Sequence, residues 1–477
     1  MKKEWPLIRF IIPSFPEVNI FSRQAKKTTA LGPIMVATVA NKIWGWRVEV
    51  IDENNYRGPK NRFGLPDHTA LQGDDPAVIV AFYCGLTSTM ERVWDLASFY
   101  HERGVKTIAG GWHVRYMPEE AREKNIDIVV PGDGEIAIKQ ILAQEKKDFS
   151  EGDIVENLND LPYPDFGLLK HAKLKIYPIG RTRGCKMNCE FCSVKGKPRS
   201  ASAIHLFKTV KHLVETRNAK KFFIVDDRIE EDLDETITFF KMVSQEYGKR
   251  LFFTVQARLE TAKNEYLLRL MKDAGVRVAC IGYESPIEVD LKTMRKGYSS
   301  SQALAWTKVI KKYFRIHGMF MFGYPIPGSK ERNVEKDIKC FKKFIRKASL
   351  DTIQILHPVP LVGTALRKRL EKRLFPLEVV PWSKYDGSYA CFRPEDMSLE
   401  EFQQAPLKIM AWFYSPFAFF RVGIRTILFP IDYIARGWSS WFRGWWRDVI
   451  KYGGHLLIQK WIRKQKREDF VKKIKAE

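Results

Sequence analysis

Three cysteines, Cys185, Cys189 and Cys192, stand close together in "GRTRGCKMNCEFCS" (180–193), and no fourth follows nearby. Thiolates at this spacing suit zinc or an iron–sulfur cluster. A closed zinc site wants four protein ligands, and no Cys or His pair sits downstream at the usual spacing. Three loop thiolates can instead hold three irons of a [4Fe–4S] cubane and leave the fourth iron open to a small chelating ligand. Cys84, Cys280, Cys340 and Cys391 stand alone among apolar or mixed neighbours and read as ordinary thiols. Seven cysteines in 477 residues, with no signal-peptide pattern, place the chain in a reducing cytoplasm.

The elements that must position this loop fall into blocks. Residues 1–150 alternate strand and helix, with strands in "PLIRFIIPSF", "WRVEVIDEN", "AVIVAFYC", "VKTIAGGWH" and "IDIVVPGD". Such continuous apolar runs predict strands buried on both faces, hence a doubly wound, Rossmann-like α/β domain. Ligands on such sheets bind at the carboxyl ends of the strands, here "CGLTST" (84–89), "GGWH" (110–113) and "PGDGE" (131–135). Residues 151–173 form a linker whose "NLNDLPYPDF" resists both helix and strand. A second alternation fills 174–375, with six candidate strands and helices near 232–248, 264–274, 301–313 and 332–347. Six β/α units make a partial (β/α)6 barrel, with its chemistry at the strands' carboxyl ends. Residues 376–477 lose this rhythm and become helical, basic and Trp-rich, with six of the 13 tryptophans beyond residue 410.

C-x3-C-x2-C, with Phe191 before the last cysteine and at the mouth of the first barrel strand, resembles the radical S-adenosylmethionine (SAM) superfamily. The resemblance covers about residues 174–365 and implies that SAM chelates the open iron. An electron from the cluster, supplied by a flavodoxin- or ferredoxin-type donor, would then split SAM to a 5′-deoxyadenosyl radical. Beside Phe191, the resemblance puts further SAM contacts at strand ends. Asp226 and Asp227 would face the methionine moiety, and Arg258 would pair with the SAM carboxylate. Glu284 would accept from the ribose hydroxyls, and Gly323 in "FGYPIPG" would let the backbone approach adenosine. "PVPLVGT" (358–364) resembles the superfamily's Pro-Gly-Thr loop.

The first block carries neither G-x-G-x-x-G after its first strand nor G-x-x-x-x-G-K. It resembles the cobalamin-binding domain that precedes the barrel in one large subgroup. On that resemblance Thr87 and Ser88 hydrogen-bond the nucleotide tail. Gly110 and Gly111 pass against the corrin, and Gly132 and Glu135 complete the cobalamin contacts. The D-x-H-x-x-G motif that supplies a cobalt ligand elsewhere is absent, so His113 is expected to be a hydrogen-bonded loop histidine.

Eighty Lys and Arg against 56 Asp and Glu give a formal charge of +24, which favours an anionic partner. Hydrophobic residues make up 45% of the chain, enough for packed cores and against a disordered protein. The segment 437–470 interleaves Trp and Phe with Arg and Lys, and "IMAWFYSPFAFF" (409–420) stops at Arg421, short of a membrane span. Association with the inner membrane face through this region is the favoured reading, with nucleic acid the weaker one. The function these readings imply is cobalamin-dependent radical SAM chemistry: hydrogen abstraction from an unactivated carbon of a hydrophobic, lipid-like substrate, then methyl transfer. The alternatives are carbon–carbon coupling or oxidative ring closure without methyl transfer, a non-catalytic iron–sulfur redox sensor, and an RNA-binding or RNA-modifying protein. No catalytic side chain beyond the cofactor contacts is assigned.

Overall fold

The structure is a computed structural model describing residues 5–16, 26–146, 148–194, 196–329 and 331–476. Its first sheet has five parallel strands: β1 (Leu7–Ile12), β2 (Arg47–Asp52), β3 (Ala77–Tyr83), β4 (Lys106–Gly110) and β5 (Ile128–Val130). They lie in the order β2-β1-β3-β4-β5, so the direction of winding reverses between β1 and β3. Strand β1 is buried along its whole length, as its unbroken apolar run requires. Ile8, Phe10 and Ile12 enter one core with the helix Leu31–Ala40, while Leu7 and Ile11 enter another with the helix Met90–His101. Arg9 interrupts that run, and its buried guanidinium is matched: Nε donates to Glu49 at 2.6 Å and Nη2 to the Leu71 and Asp75 carbonyls.

The second sheet begins with β6 (Tyr177–Ile179). A short antiparallel hairpin follows, β7 (Thr182–Arg183) and β8 (Arg199–Ser200), before the sheet continues. Its remaining strands are β9 (Lys221–Ile224), β10 (Phe252–Ala257), β11 (Val276–Glu284), β12 (Arg315–Met321) and β13 (Thr352–Leu356). All six pair in parallel and in sequence order, the topology of a partial barrel. The helices between them have sequence-encoded starts. Ser202, Asp232, Ser299 and Asn333 each accept a backbone N–H at a helix N-terminus. In the helix Val334–Ala348, buried Val334, Ile338, Phe341, Ile345 and Ala348 recur every three or four residues and cover the sheet.

The C-terminal part departs from the expected helical region at its start. The first long helix there is Leu399–Phe413, preceded by a mostly irregular strap. Pro376, Pro381 and Pro394, with Gly387 at φ +82°, work against a continuous helix in that stretch. The strap instead covers the first domain: Trp382 Nε1 donates to Glu120 at 2.8 Å, and the Ser383 amide donates to Glu91 at 3.4 Å. Phe470 and Ile474, near the chain's end, join the same core as Leu7 and Val80. Helices Phe417–Ile427, Phe429–Arg436 and Trp438–Glu468 lie between.

Candidate functional site

The carboxyl ends of the two sheets face one cavity of about 930 Å³. Phe10, Met35, Ala81, Ile108 and Val130 form an apolar wall from the first domain. Gly110–Trp112 and Pro131–Glu135 form its rim. The opposing wall comes from the barrel: Gly180–Gly184, Lys197–Arg199, Asp226 and Asp227. That wall is polar and includes the base of the cysteine loop.

Cys185, Cys189 and Cys192 all lie on the loop between β7 and β8, with Cys189 buried and the other two half-buried. Ion pairs fasten the base of this hairpin to the first domain. Arg183 makes two hydrogen bonds to Glu135, at 2.5 and 3.2 Å, and lies 3.3 Å from Asp133. Arg199 donates to Asp133 at 2.6 Å and to the Val155 carbonyl at 2.6 Å. The two guanidinium groups hold the Asp133 carboxyl below its usual range against the cost of burial. The loop's other side is tied to the barrel through Glu190, between the second and third cysteines. Its carboxylate accepts two hydrogen bonds from Arg369, at 2.6 and 2.9 Å, and one from the Tyr324 hydroxyl at 2.7 Å. Thr364, ending the Pro-Gly-Thr loop, caps the helix Ala365–Leu370 that delivers Arg369. Charge-assisted bidentate pairs of this kind fix orientation as well as distance.

At the barrel mouth, Asp226 Oδ1 accepts from the Arg181 and Thr182 amides at 2.8 and 3.1 Å, so it holds the turn that launches the hairpin. Its Oδ2 is buried with no hydrogen-bond partner. Burial raises the Asp226 carboxyl to about 6 despite those amides. Asp227 is likewise raised to about 6, by burial and then by Asp226. Arg258 is engaged by Glu260, with contacts of 2.6 and 3.2 Å, rather than presented bare. Glu284, in the left-handed region at φ +61°, pairs with Lys296 at 2.9 Å. Lys296 Nζ also lies 5.5 Å from the centre of the Phe191 ring, which packs edge-on against Tyr324 at 6.3 Å. Tyr298 donates to the Gly282 and Tyr283 carbonyls, and burial together with Glu284 pushes its hydroxyl well up, keeping it a neutral donor. Gly323 has φ +72°, and a Cβ there would meet the Phe402 ring at 2.7 Å, so it permits packing of the C-terminal helix.

On the first domain, Gly110, Gly111 and Gly132 line the cavity. Gly111 has φ +131°, and a Cβ on it would lie 2.6 Å from the Cys84 carbonyl carbon, so protein backbone alone demands glycine there. A Cβ on Gly132 would meet the Ser150 carbonyl oxygen at 2.7 Å. Glu135 is also at the cavity, but its carboxylate belongs to Arg183. Thr87 and Ser88 are buried outside the lining, and Thr87 Oγ1 lies 3.3 Å from His113 Nδ1. His113 is fully buried, with Nε2 3.3 Å from Glu120 and its ring edge-on to Trp382. Both ring nitrogens are thus engaged within the fold as expected, although His113 lies on the short helix Trp112–Tyr116 rather than in a loop. Glu190, Glu260, Lys296 and Tyr298 are site residues that motif reading passed over.

The residues present suit a thiolate-bound cluster with a small polar ligand beside it. Among the described residues no three His, Cys, Asp or Glu side chains gather as ligands of a single metal ion. A cubane asks for less convergence, because each thiolate meets its own iron at a separate corner. Asp226 lines the cavity, and its second oxygen is buried without a hydrogen-bond partner.

The pattern of the radical SAM superfamily matches residues 179–341. That stretch is a radical SAM domain. Over 330 residues it is 26% identical to an uncharacterized methyltransferase of Pyrococcus horikoshii, covering 61% of this chain and 69% of that protein. Over 359 residues it is 25% identical to the bacteriochlorophyllide d C-8(2)-methyltransferase of Chlorobaculum tepidum, covering 68% and 76% respectively. It is also similar in fold to the radical S-adenosylmethionine methyltransferase TsrM from Kitasatospora setae, solved with cobalamin and a [4Fe–4S] cluster bound. There the TM-score is 0.61 at 13% identity, covering 85% of this chain and 89% of that one.

Proposed function

We propose that this protein is a cobalamin-dependent radical SAM enzyme that transfers a methyl group to an unactivated carbon of a hydrophobic substrate. The observation that carries the proposal is the shared cavity: an apolar wall on one sheet's strand ends faces a polar wall that includes the base of the cysteine loop. A flat, largely apolar corrin suits the first wall, where Gly110 adds no side chain to the rim and a Cβ there would sit in ordinary contact with Val130 at 3.7 Å. The second wall suits a small zwitterionic sulfonium compound. The relatives named as methyltransferases, and the cobalamin in the similar structure, support the same reading.

In this reading Cys185, Cys189 and Cys192 hold the cluster, and Asp226 and Asp227 attract the positive end of SAM. Bound together, the cluster would supply the electron that cleaves SAM and cobalamin would supply the methyl group. The chain's own tasks are orientation and exclusion. The Arg183–Glu135 and Arg199–Asp133 pairs keep the cysteine loop seated on the first domain. Glu190, through Arg369 and Tyr324, seats it on the barrel. The strap around Trp382 closes the first domain's outer core from water.

The test uses SAM labelled separately on its methyl and adenosyl carbons, with anaerobic reduced enzyme and candidate hydrophobic acceptors. Methyl label in the product, with adenosyl label leaving as 5′-deoxyadenosine, supports the proposal. Formation of 5′-deoxyadenosine and a product that carries no methyl label excludes methyl transfer and leaves ring closure or carbon–carbon coupling.

A further inference from the structure

The tail's exposed apolar surface extends well upstream of the segment where its tryptophans are densest. In the helix Trp438–Glu468, Trp441, Ile458 and Trp461 are buried. Trp441 Nε1 donates to the Arg425 carbonyl at 2.7 Å and Trp445 Nε1 to Thr426 Oγ1 at 3.0 Å. These rings attach the long helix to the helix Phe417–Ile427. Trp438, Phe442 and Trp446 on the same long helix are exposed, and a further run of exposed apolar side chains lies upstream. Phe417, Phe420, Ile424 and Ile427 recur at intervals of three and four along Phe417–Ile427, which places them on one helix face. Ile431 and Ile434 repeat the interval on Phe429–Arg436 and are 67% and 85% exposed. A cluster of bare apolar residues this size marks a contact surface.

Cations crowd beside it. Arg421 and Arg425 share one buried carboxylate, Asp448, at 3.3 and 2.8 Å. Lys451 sits near Arg447 and Arg421, and burial followed by these two neighbours pushes its ammonium down to about 8. Four cations around one carboxylate leave an excess that an anionic surface would neutralise. A second copy of this chain would bring the same surplus and so repel. No helix among the described residues is long and apolar enough to cross a bilayer, which leaves insertion at headgroup depth.

We infer that residues 417–436 dock the protein on an anionic lipid bilayer, with Phe417, Phe420, Ile424, Ile427, Ile431 and Ile434 entering the interface and the Arg421–Lys451 cluster facing the headgroups. The docking element is therefore the pair of helices ahead of the Trp-rich segment, and the inference is independent of which group the enzyme transfers. The test is co-sedimentation of the full chain with phosphatidylcholine vesicles, with and without phosphatidylglycerol. A triple variant, Phe417→Ser with Ile427→Ser and Ile434→Ser, alters only exposed positions away from the cavity. The expected result is stronger binding to the anionic vesicles and a loss of about tenfold or more in the triple variant, with its SAM cleavage unchanged. Leu456→Ser with Leu457→Ser, exposed on the long helix, should change binding less than about twofold. Equal binding by wild type and triple variant overturns the inference. So does a wild-type chain that ignores vesicles but loses a dimer, or RNA binding, in the triple variant.

Discussion

The two walls of the cavity are built on opposite principles. The first domain's wall is apolar backbone and small or aliphatic side chains, set where the winding of its sheet reverses between β1 and β3. The barrel's wall is polar: its Arg183 and Arg199 pair with Glu135 and Asp133 on the first domain's rim, and behind it Glu190, Glu260 and Glu284 each have an Arg or Lys partner. Asp226 has only amides, on one of its two oxygens. The difference teaches where specificity resides. An apolar wall selects by shape and tolerates a large disc, whereas a paired-charge wall fixes the positions of a few atoms.

The sharpest way to break the contrast is to disable one wall and leave the other. Cys189→Ala should abolish 5′-deoxyadenosine formation, a loss of roughly a thousandfold or more, while cobalamin uptake by the first wall persists. Chromatography of deoxyadenosine and the absorbance of bound corrin read the two separately. The seam between the walls comes next. Arg183→Ala leaves the 4%-exposed Glu135 side chain unpaired and frees one base of the cysteine loop. The ratio of methylated product to 5′-deoxyadenosine should then fall about tenfold, with SAM cleavage itself reduced less.

The smallest effect sharpens the polar wall. Asp226 is raised from its unfolded value of 3.8 to about 6, so its protonated form is favoured by the fold. Its stabilising contribution is full below pH 3.8 and is lost as pH rises through 6. Asp226→Asn keeps an oxygen for the two amides and removes the charge. In the cluster-free protein its urea midpoint should therefore gain on that of wild type between pH 4 and pH 7, by about 1–2 kcal/mol at the upper end.

Much of this architecture was legible because burial on both faces leaves a plain mark. All the strands expected from apolar runs are present, in the expected parallel sheets. What escaped was whatever depends on partners remote in sequence. Glu190 stands in plain sight between two cysteines, yet Arg369 lies 179 residues further on. Glu135 sits in a strand-end loop, where a ligand contact is the natural reading, but Arg183 claims its carboxylate from 48 residues away. Two-residue strands such as β7 and β8 have too short a pattern to be seen. In the tail, Trp441 and Trp461 are packed internally while Trp438 and Trp446 are exposed, and the exposed Phe and Ile residues before them were not singled out by tryptophan density.

The central claim is that the apolar wall holds a corrin next to the cysteine loop. Gly110 lines the cavity rim and a Cβ there would meet only Val130, at an ordinary contact distance of 3.7 Å, so Gly110→Trp would fill the corrin's place from the first domain's side. Equilibrium dialysis against hydroxocobalamin, on cluster-reconstituted chains that cleave SAM, tests this directly. The account predicts about one cobalamin per wild-type chain and essentially none for the variant, with SAM cleavage equal in both. A wild-type chain that cleaves SAM but takes up no cobalamin, or a variant that binds it as well as wild type, would contradict the account.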